Sequence, residues 1–281
     1  LNNNMKTIKN SYSDKKMINI SDYEFIKDLG KGSYATVKLA IYKPTKEKYA
    51  IKIYNKKKLT NTQKTNYIKN EIIVLHELND SNIVKLYKVI HTKNYLYLIM
   101  EYIEGISLLD LIQNEENKHI NELRCKNLFF QIVKGIAYCH DKNICHRDIK
   151  LENILVQKND IVKIIDFGFA IKCNKNQNQQ LLCGTLCYMP PEIVNREEYN
   201  PFYSDIWSLG VLLYTMLFGI FPFRGKNDEK IMDLIIENDL IFPEGINVSD
   251  EVKDLIRNIM ITEPSQRLKP DEISKNKWFF C

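Results

Sequence analysis

Hydrophobic and polar positions change their rhythm near residue 105. Before it, three short apolar-rich runs, Tyr23–Leu29, Thr36–Tyr42 and Lys48–Tyr54, are separated by a Gly-rich turn and by Lys43-Pro44-Thr45. Such spacing predicts an antiparallel meander. In the third run a period of two puts Ala50 and Lys52 on one face and Tyr49, Ile51 and Ile53 on the other. Between Thr65 and Leu78 the apolar residues Ile68, Ile72, Leu75 and Leu78 recur at helical spacing, which predicts an amphipathic helix carrying Glu71. Strands around Val84–His91 and Tyr95–Met100 complete a five-stranded sheet. After Gly105 the helical period dominates, in Asn121–Asp141, Asp205–Phe218, Asp228–Glu237 and Asp250–Met260.

The expected class is therefore α+β. A polar tail over residues 1–20 precedes one folded region, 21–281. Within it a small sheet-rich lobe (21–102) joins a larger helical lobe (106–281) through a hinge at about 101–105. Inter-lobe clefts are common ligand sites.

Composition narrows the function classes. The chain has 281 residues, 44% of them hydrophobic, enough for a sizeable core. Its 40 basic and 35 acidic residues are interspersed, leaving a net charge of +5 without the basic stripe that nucleic-acid binding needs. Seven cysteines in apolar and loop settings do not form a secreted disulfide framework, so a reducing, cytoplasmic setting with nuclear access is expected. No run approaches the roughly eighteen apolar residues of a membrane helix, and no membrane partner is expected. A chain that begins at Leu1 is expected to be part of a longer protein, so flanking domains or a regulatory subunit are anticipated.

Four stretches carry chemistry. Gly30-Lys31-Gly32-Ser33-Tyr34-Ala35-Thr36-Val37 joins two strands, where glycines let a backbone approach a phosphate closely. Alone it reads equally well as a hairpin turn. Tyr49-Ala50-Ile51-Lys52 places a lysine on the neighbouring strand, where it can hold phosphates if a carboxylate such as Glu71 fixes it. Cys145-His146-Arg147-Asp148-Ile149-Lys150-Leu151-Glu152-Asn153, followed by Ile165-Asp166-Phe167-Gly168, supplies one candidate base and two oxygen ligands for a hard cation. Any one of these polar residues could merely form a loop, but their joint order is hard to reach by chance.

In these motifs the chain resembles the eukaryotic protein kinase family, from about Tyr23 to Phe280. The resemblance implies a bilobal protein kinase fold, ATP with Mg²⁺ (Mn²⁺ as the alternative) and protein substrates carrying Ser or Thr. It implies Asp148 as the residue accepting the hydroxyl proton and Lys150 as the residue steadying the transferred phosphoryl group. Asn153 and Asp166 become the metal ligands. Lys52, paired with Glu71, would grip the phosphates under Gly30 and Gly32. Leu29, Val37, Ala50, Met100 and Leu155 would line the nucleotide site, with Glu101 and Ile103 meeting the adenine. Leu75, Leu86, His146 and Phe167 match the stacked side chains between lobes, Asp205 matches the support of the catalytic loop, and Glu192 matches the partner of Arg267. Lys150 and Thr185 are features of the serine/threonine branch. Ser107 to Asp110, Pro222-Phe223 and Lys277-Trp278-Phe279 are most similar to the calcium/calmodulin-dependent group, near its AMP-activated kinase-like members.

The chain also departs from that pattern. Ala35 replaces the third loop glycine. Residues Phe169 to Cys183 include no serine, threonine or tyrosine, and Leu181 stands at the usual phosphoacceptor position, so control by phosphorylation there is not expected. Packing of Leu181 and Leu182, or a partner, would order the segment instead. Two positions that are acidic in relatives selecting arginine-rich substrates are Ser107 and Thr215 here, leaving Glu152, which argues against a strong preference for multiply basic substrates. Zinc at Cys139-His140 and Cys145-His146 is disfavoured because His146 belongs to the loop motif, and Cys183 with Cys187 reads as structural thiols rather than a redox switch. A catalytically silent scaffold of the same shape is the main rival. It is disfavoured because Lys52, Glu71, Asp148, Asn153 and Asp166 are all present.

Overall fold

The computed structural model describes residues 19–32, 35–59, 62–175, 177–180 and 184–281, and these form two compact units. The expected tail, Ser33, Tyr34, Leu181, Leu182 and Cys183 lie outside the described residues or largely so.

The first unit, residues up to Lys56 together with Lys88–Tyr102, is the sheet. Its strands are β1 (Tyr23–Lys31), β2 (Ala35–Tyr42), β3 (Lys48–Asn55), β4 (Leu86–His91) and β5 (Tyr95–Glu101), in the order β1-β2-β3-β5-β4. The three central pairings β1–β2, β2–β3 and β3–β5 are antiparallel. The period-two reading of β3 holds: Tyr49, Ile51 and Ile53 pack in an apolar cluster with Tyr23, Ala40, Ile90 and Ile99. Ala50 and Lys52 occupy the other face, where the register sets Val37 opposite Lys52 and Met100 opposite Ala50. Strand β1 is an edge with only Tyr23 buried, and its register slips twice, between Phe25 and Lys27 and between Asp28 and Gly30. Such irregularities blunt an edge against pairing with other chains.

The second unit contains Lys57–Tyr87 and Ile103–Cys281. Helix α1 (Thr62–Glu77) thus clusters with this unit, whereas the sequence reading assigned all of residues 21–102 to the small lobe. Its described contacts explain this. Tyr67 meets Phe169 edge-on at 5.7 Å, and Glu77 pairs with Lys172 at 2.7 Å. Periodicity reveals a helix's apolar stripe but not what covers it.

The rest of the unit runs through β6 (Gly105–Ser107), α2 (Leu108–Asn114), α3 (Glu122–Asp141), β7 (Ile144–Cys145), β8 (Ile154–Gln157), β9 (Val162–Ile164), β10 (Ile171–Lys172), α4 (Pro191–Val194), α5 (Pro201–Phe218), α6 (Asp228–Glu237), α7 (Asp250–Ile259) and α8 (Pro270–Ser274). Helix α5 is the buried axis: every residue from Pro201 to Phe218 except Tyr203 is buried. A helix apolar all round is a core helix. It starts four residues before the expected Asp205, with Asn200 accepting from the Phe202 amide and Pro201 in the first turn. It ends at Gly219, whose φ of 68° suits glycine and where a Cβ would lie 2.1 Å from the Lys118 carbonyl oxygen. Among the described residues no helix is long and apolar enough to cross a membrane.

Candidate active site

The second unit gathers the loop motif around one buried carboxylate. Asp205, on α5, is 1% exposed; its Oδ2 accepts from the His146 amide at 2.8 Å and its Oδ1 from the Arg147 amide at 2.8 Å. The same Oδ2 lies 2.9 Å from His140 Nε2 on α3. These bonds hold Arg147 in left-handed backbone (φ 63°), a strain of about 1–3 kcal/mol that persists only where surroundings impose it. The side chain of Arg147 donates through Nε to the Phe169 carbonyl at 2.8 Å, tying the loop to the segment that follows.

Asp148, next in the chain, is 6% exposed. Its Oδ2 is 2.8 Å from Lys150 Nζ and accepts from Asn153 Nδ2 at 2.9 Å, and Asn153 Nδ2 also donates to the Asp148 carbonyl. Thr185 closes the frame: its hydroxyl accepts from Lys150 at 3.2 Å and stands 3.5 Å from Asp148 Oδ1. Carboxylate, ammonium and hydroxyl therefore share one small volume. Because the Asn153 amide nitrogen is committed to Asp148, its oxygen is the atom that could meet a cation. Asp166 is exposed, has φ 60°, and accepts from the Gly168 amide. Asn153 and the residue before Asp166 are joined by the Ile165 amide to the Asn153 carbonyl at 2.9 Å. Two neutral-or-anionic oxygen donors of this kind suit a hard cation such as Mg²⁺.

The ring of His146 is fully buried. Its Nε2 lies 3.1 Å from the Ile165 carbonyl while its Nδ1 accepts from the Asp148 amide at 3.2 Å, so both ring nitrogens are engaged. It meets Phe167 edge-on at 4.7 Å. Glu192 and Arg267 form the expected pair, bidentate at 2.7 Å for each contact, and Arg267 also donates to the Tyr203, Ile261 and Thr262 carbonyls.

The remaining expected residues divide between the units. Leu29, Gly30, Val37, Ala50, Lys52, Met100 and Glu101 are in the first; cross-strand register brings Val37, Lys52, Ala50 and Met100 together, with Leu39 and Leu98 added on the same face. Gly32 donates its amide to the Ala35 carbonyl and closes the loop turn. Glu71, 1% exposed, Ile103 and Leu155 are in the second.

Two supports escaped the sequence reading. His140 was weighed only as part of a zinc pattern, yet it is the side-chain partner of Asp205. His140, Cys145 and Asp205 do place ligand atoms within 4.8 Å of one another, but both Asp205 oxygens are already hydrogen-bonded, so the cluster is a hub holding the loop. Tyr188 is the other: its hydroxyl accepts from the Leu151 amide at 3.2 Å, and burial pushes its phenol pKa up. Only its closeness to Thr185 in sequence hinted at a role. The six described cysteines are free thiols.

Comparison with known proteins agrees with this geometry. A family model described as protein kinase domain matches residues 23–279. The chain is 38% identical over 257 residues to the human SNF-related serine/threonine-protein kinase, covering 91% of this chain and 33% of that protein. It is 38% identical over 256 residues to calcium-dependent protein kinase 5 of Plasmodium falciparum (isolate 3D7), covering 89% and 44%. It is 34% identical over 270 residues to the serine/threonine-protein kinase SIK2 of Gallus gallus, covering 95% and 33%. The chain thus spans between a third and less than half of the length of these relatives.

Proposed function

The chain belongs to the protein kinase domain family, and from that premise we propose that it transfers the γ-phosphoryl group of ATP to serine or threonine hydroxyls of proteins. The observation that carries this reading is the frame around Asp148, whose carboxylate lies within hydrogen-bonding reach of Lys150, Asn153 and Thr185, with Lys150 also donating to Thr185.

Phosphoryl transfer needs positioning and charge neutralisation more than a strong nucleophile. Asp148 orients the attacking hydroxyl and takes its proton, while Lys150 neutralises charge gathering on the transferred group. Thr185, bonded to both, keeps their spacing. Lys52 would hold the nucleotide phosphates beneath the Gly30–Gly32 turn, with Glu71 the partner that the family resemblance implies for it, and Val37, Ala50 and Met100 would form the apolar bed for the base. Leu29 and Leu155 complete that bed, with Glu101 and Ile103 meeting the adenine edge. Asn153 and Asp166 are the residues that would hold Mg²⁺, with Mn²⁺ as the alternative. When bound, such a cation supplies charge neutralisation along the phosphate chain.

Regulation follows from the segment after Phe169, which offers no hydroxyl acceptor before Gly184. We infer that a flanking domain or regulatory partner, rather than phosphorylation within this segment, controls activity. Neither nucleic acid nor membrane is needed by this reading, and the free thiols suit a cytoplasmic setting with nuclear access.

The decisive experiment compares transfer of radiolabelled phosphate from ATP to a generic protein by the wild type and by Asp148→Asn. Removing a general base typically costs about 10²- to 10⁴-fold in rate. Equal activity in both proteins would reject the assignment of Asp148, and no transfer by either would favour a silent scaffold.

A further inference from the structure

Like charges converge without a counter-ion at one place on the second unit. Arg224, Gly225, Lys226, Asn227 and Lys230 line an open depression of about 530 Å³ where the connection from α5 enters α6. Arg224, Lys226 and Lys230 are exposed, and none of them forms an ion pair among the described residues. Asp228 and Glu229 sit on the first turn of the same helix yet do not contribute to the lining. Within the same seven residues Asp228 and Glu229 offset two of the three cations, but they lie outside the lining, so the depression itself is cationic. Stability alone gives no reason for it.

The convergence is built into the backbone. A Cβ on Gly225 would lie 2.8 Å from the Ile231 amide nitrogen and 2.9 Å from Lys230 Cβ, so only glycine lets the connection press against the first turn of α6. Asn227 then fixes that turn by accepting from the Lys230 amide at 2.9 Å. Arg224 and Lys226 are thereby held beside Lys230.

The depression is also close to the path of a substrate. Helix α6 packs on α4 and on the turn Leu186–Tyr188, which begins directly after Thr185. Asp228 is near enough to that turn to add, after burial, to the raised pKa of the Cys187 thiol. The turn therefore connects the depression to Thr185, whose hydroxyl stands 3.5 Å from Asp148.

We propose that Arg224, Lys226 and Lys230 form a subsite for anionic side chains flanking the phosphoacceptor, so that the enzyme selects acidic or already phosphorylated segments of its protein substrates. The proposal rests on the kinase reading above. Ser107 and Thr215 agree with it, since neither can draw in a basic flank, which leaves the exposed Glu152 as the one acidic position of that set. Carboxylate and phosphate oxygens both accept from guanidinium and ammonium groups, and a phosphoserine brings more charge per residue.

The test uses the intact chain and three fluorescein-labelled peptides of one sequence around a single acceptor serine. Their flanks carry aspartates, a phosphoserine or neutral residues. The expected result is a KM about tenfold lower for each anionic peptide than for the neutral one, shrinking with added salt. In R224A/K226A/K230A that ratio falls to about one. Because the ratio is internal, a variant that merely folds poorly loses all three peptides alike; Arg224→Lys keeps the preference. Gain by the phosphoserine peptide alone assigns the subsite to primed substrates. Equal KM values in the wild type, or a preference surviving in the triple variant, overturn the proposal. If the wild type phosphorylates neither these peptides nor a generic protein, the kinase reading fails instead. Fluorescence anisotropy then decides the subsite: tighter binding of anionic peptides that the triple variant loses supports it, and equal binding rejects it.

Discussion

The loop Cys145–Asn153 and the segment that follows Phe167 are close in sequence, about fifteen residues apart, and are held by opposite means. From Cys145 to Asn153 the chain is rich in charge, yet His146, Arg147, Asp148 and Asn153 are all buried, each 6% exposed or less. Most of their polar groups are answered by Asp205, by the Phe169 and Ile165 carbonyls and by one another, although Arg147 Nη1 is buried without a partner. Between Ile171 and Gln180, by contrast, Cys173 is the only buried residue among those described. That stretch is anchored at separate points: the β10–β7 pairing, the Lys172–Glu77 pair, Asn200 donating to the Lys175 carbonyl, and a bridge between Gln179 and Tyr199. Burying charge is costly unless every group is paired, so the loop keeps one geometry. A segment with few, exposed anchors is the cheaper element to rearrange, which fits control by a partner.

The contrast can be broken most severely at its buried end. Asp205→Ala strands two backbone amides and His140, and should lower stability by about 3–5 kcal/mol in urea unfolding while abolishing activity. A loss below about 1 kcal/mol would mean the loop supports itself. Glu192→Ala should cost a similar amount, about 3–5 kcal/mol, because Arg267 would remain buried without its carboxylate. Here thermal unfolding is the readout, and Glu192→Gln should recover part of the loss.

A smaller effect is expected where the two regions meet. Thr185→Ala removes the hydroxyl bridging Lys150 and Asp148 and should lower kcat about tenfold, with Thr185→Ser near wild type. Unchanged kcat would show that Lys150 and Asp148 hold their spacing unaided. Among the anchors of the exposed segment, Asn200→Ala removes both a helix cap and the bond to Lys175, about 1 kcal/mol. Lys172→Met should be smallest, at most about 1 kcal/mol, since both partners of this pair are half exposed and screened by salt. A larger loss from Lys172→Met than from Asn200→Ala would reverse the proposed ranking of the anchors.

Much of the site was legible because catalysis demands particular residue types at fixed spacing. Asp148, Lys150, Asn153 and Asp166 could be singled out before any coordinates, and three of them prove to share one frame with their neighbours. Long elements with a strong period, β3, α3 and α6, were legible for a similar reason. The short strands β6, β7 and β10 were not, since two or three residues cannot display a period. The start of α5 was missed because a helix buried on all sides has no polar face to mark its turns.

By itself the sequence determined the order of elements, the residue types in the loop motif and the absence of hydroxyls between Phe169 and Cys183. Those are local properties, written in neighbouring side chains. Tertiary structure alone decided that Asp205 and His140 would share a bond, that α1 would pack with β10, and that Gly225 would bring Arg224 and Lys226 beside Lys230. Such outcomes depend on which surfaces meet after burial of the apolar core. No one-dimensional pattern encodes that contact directly.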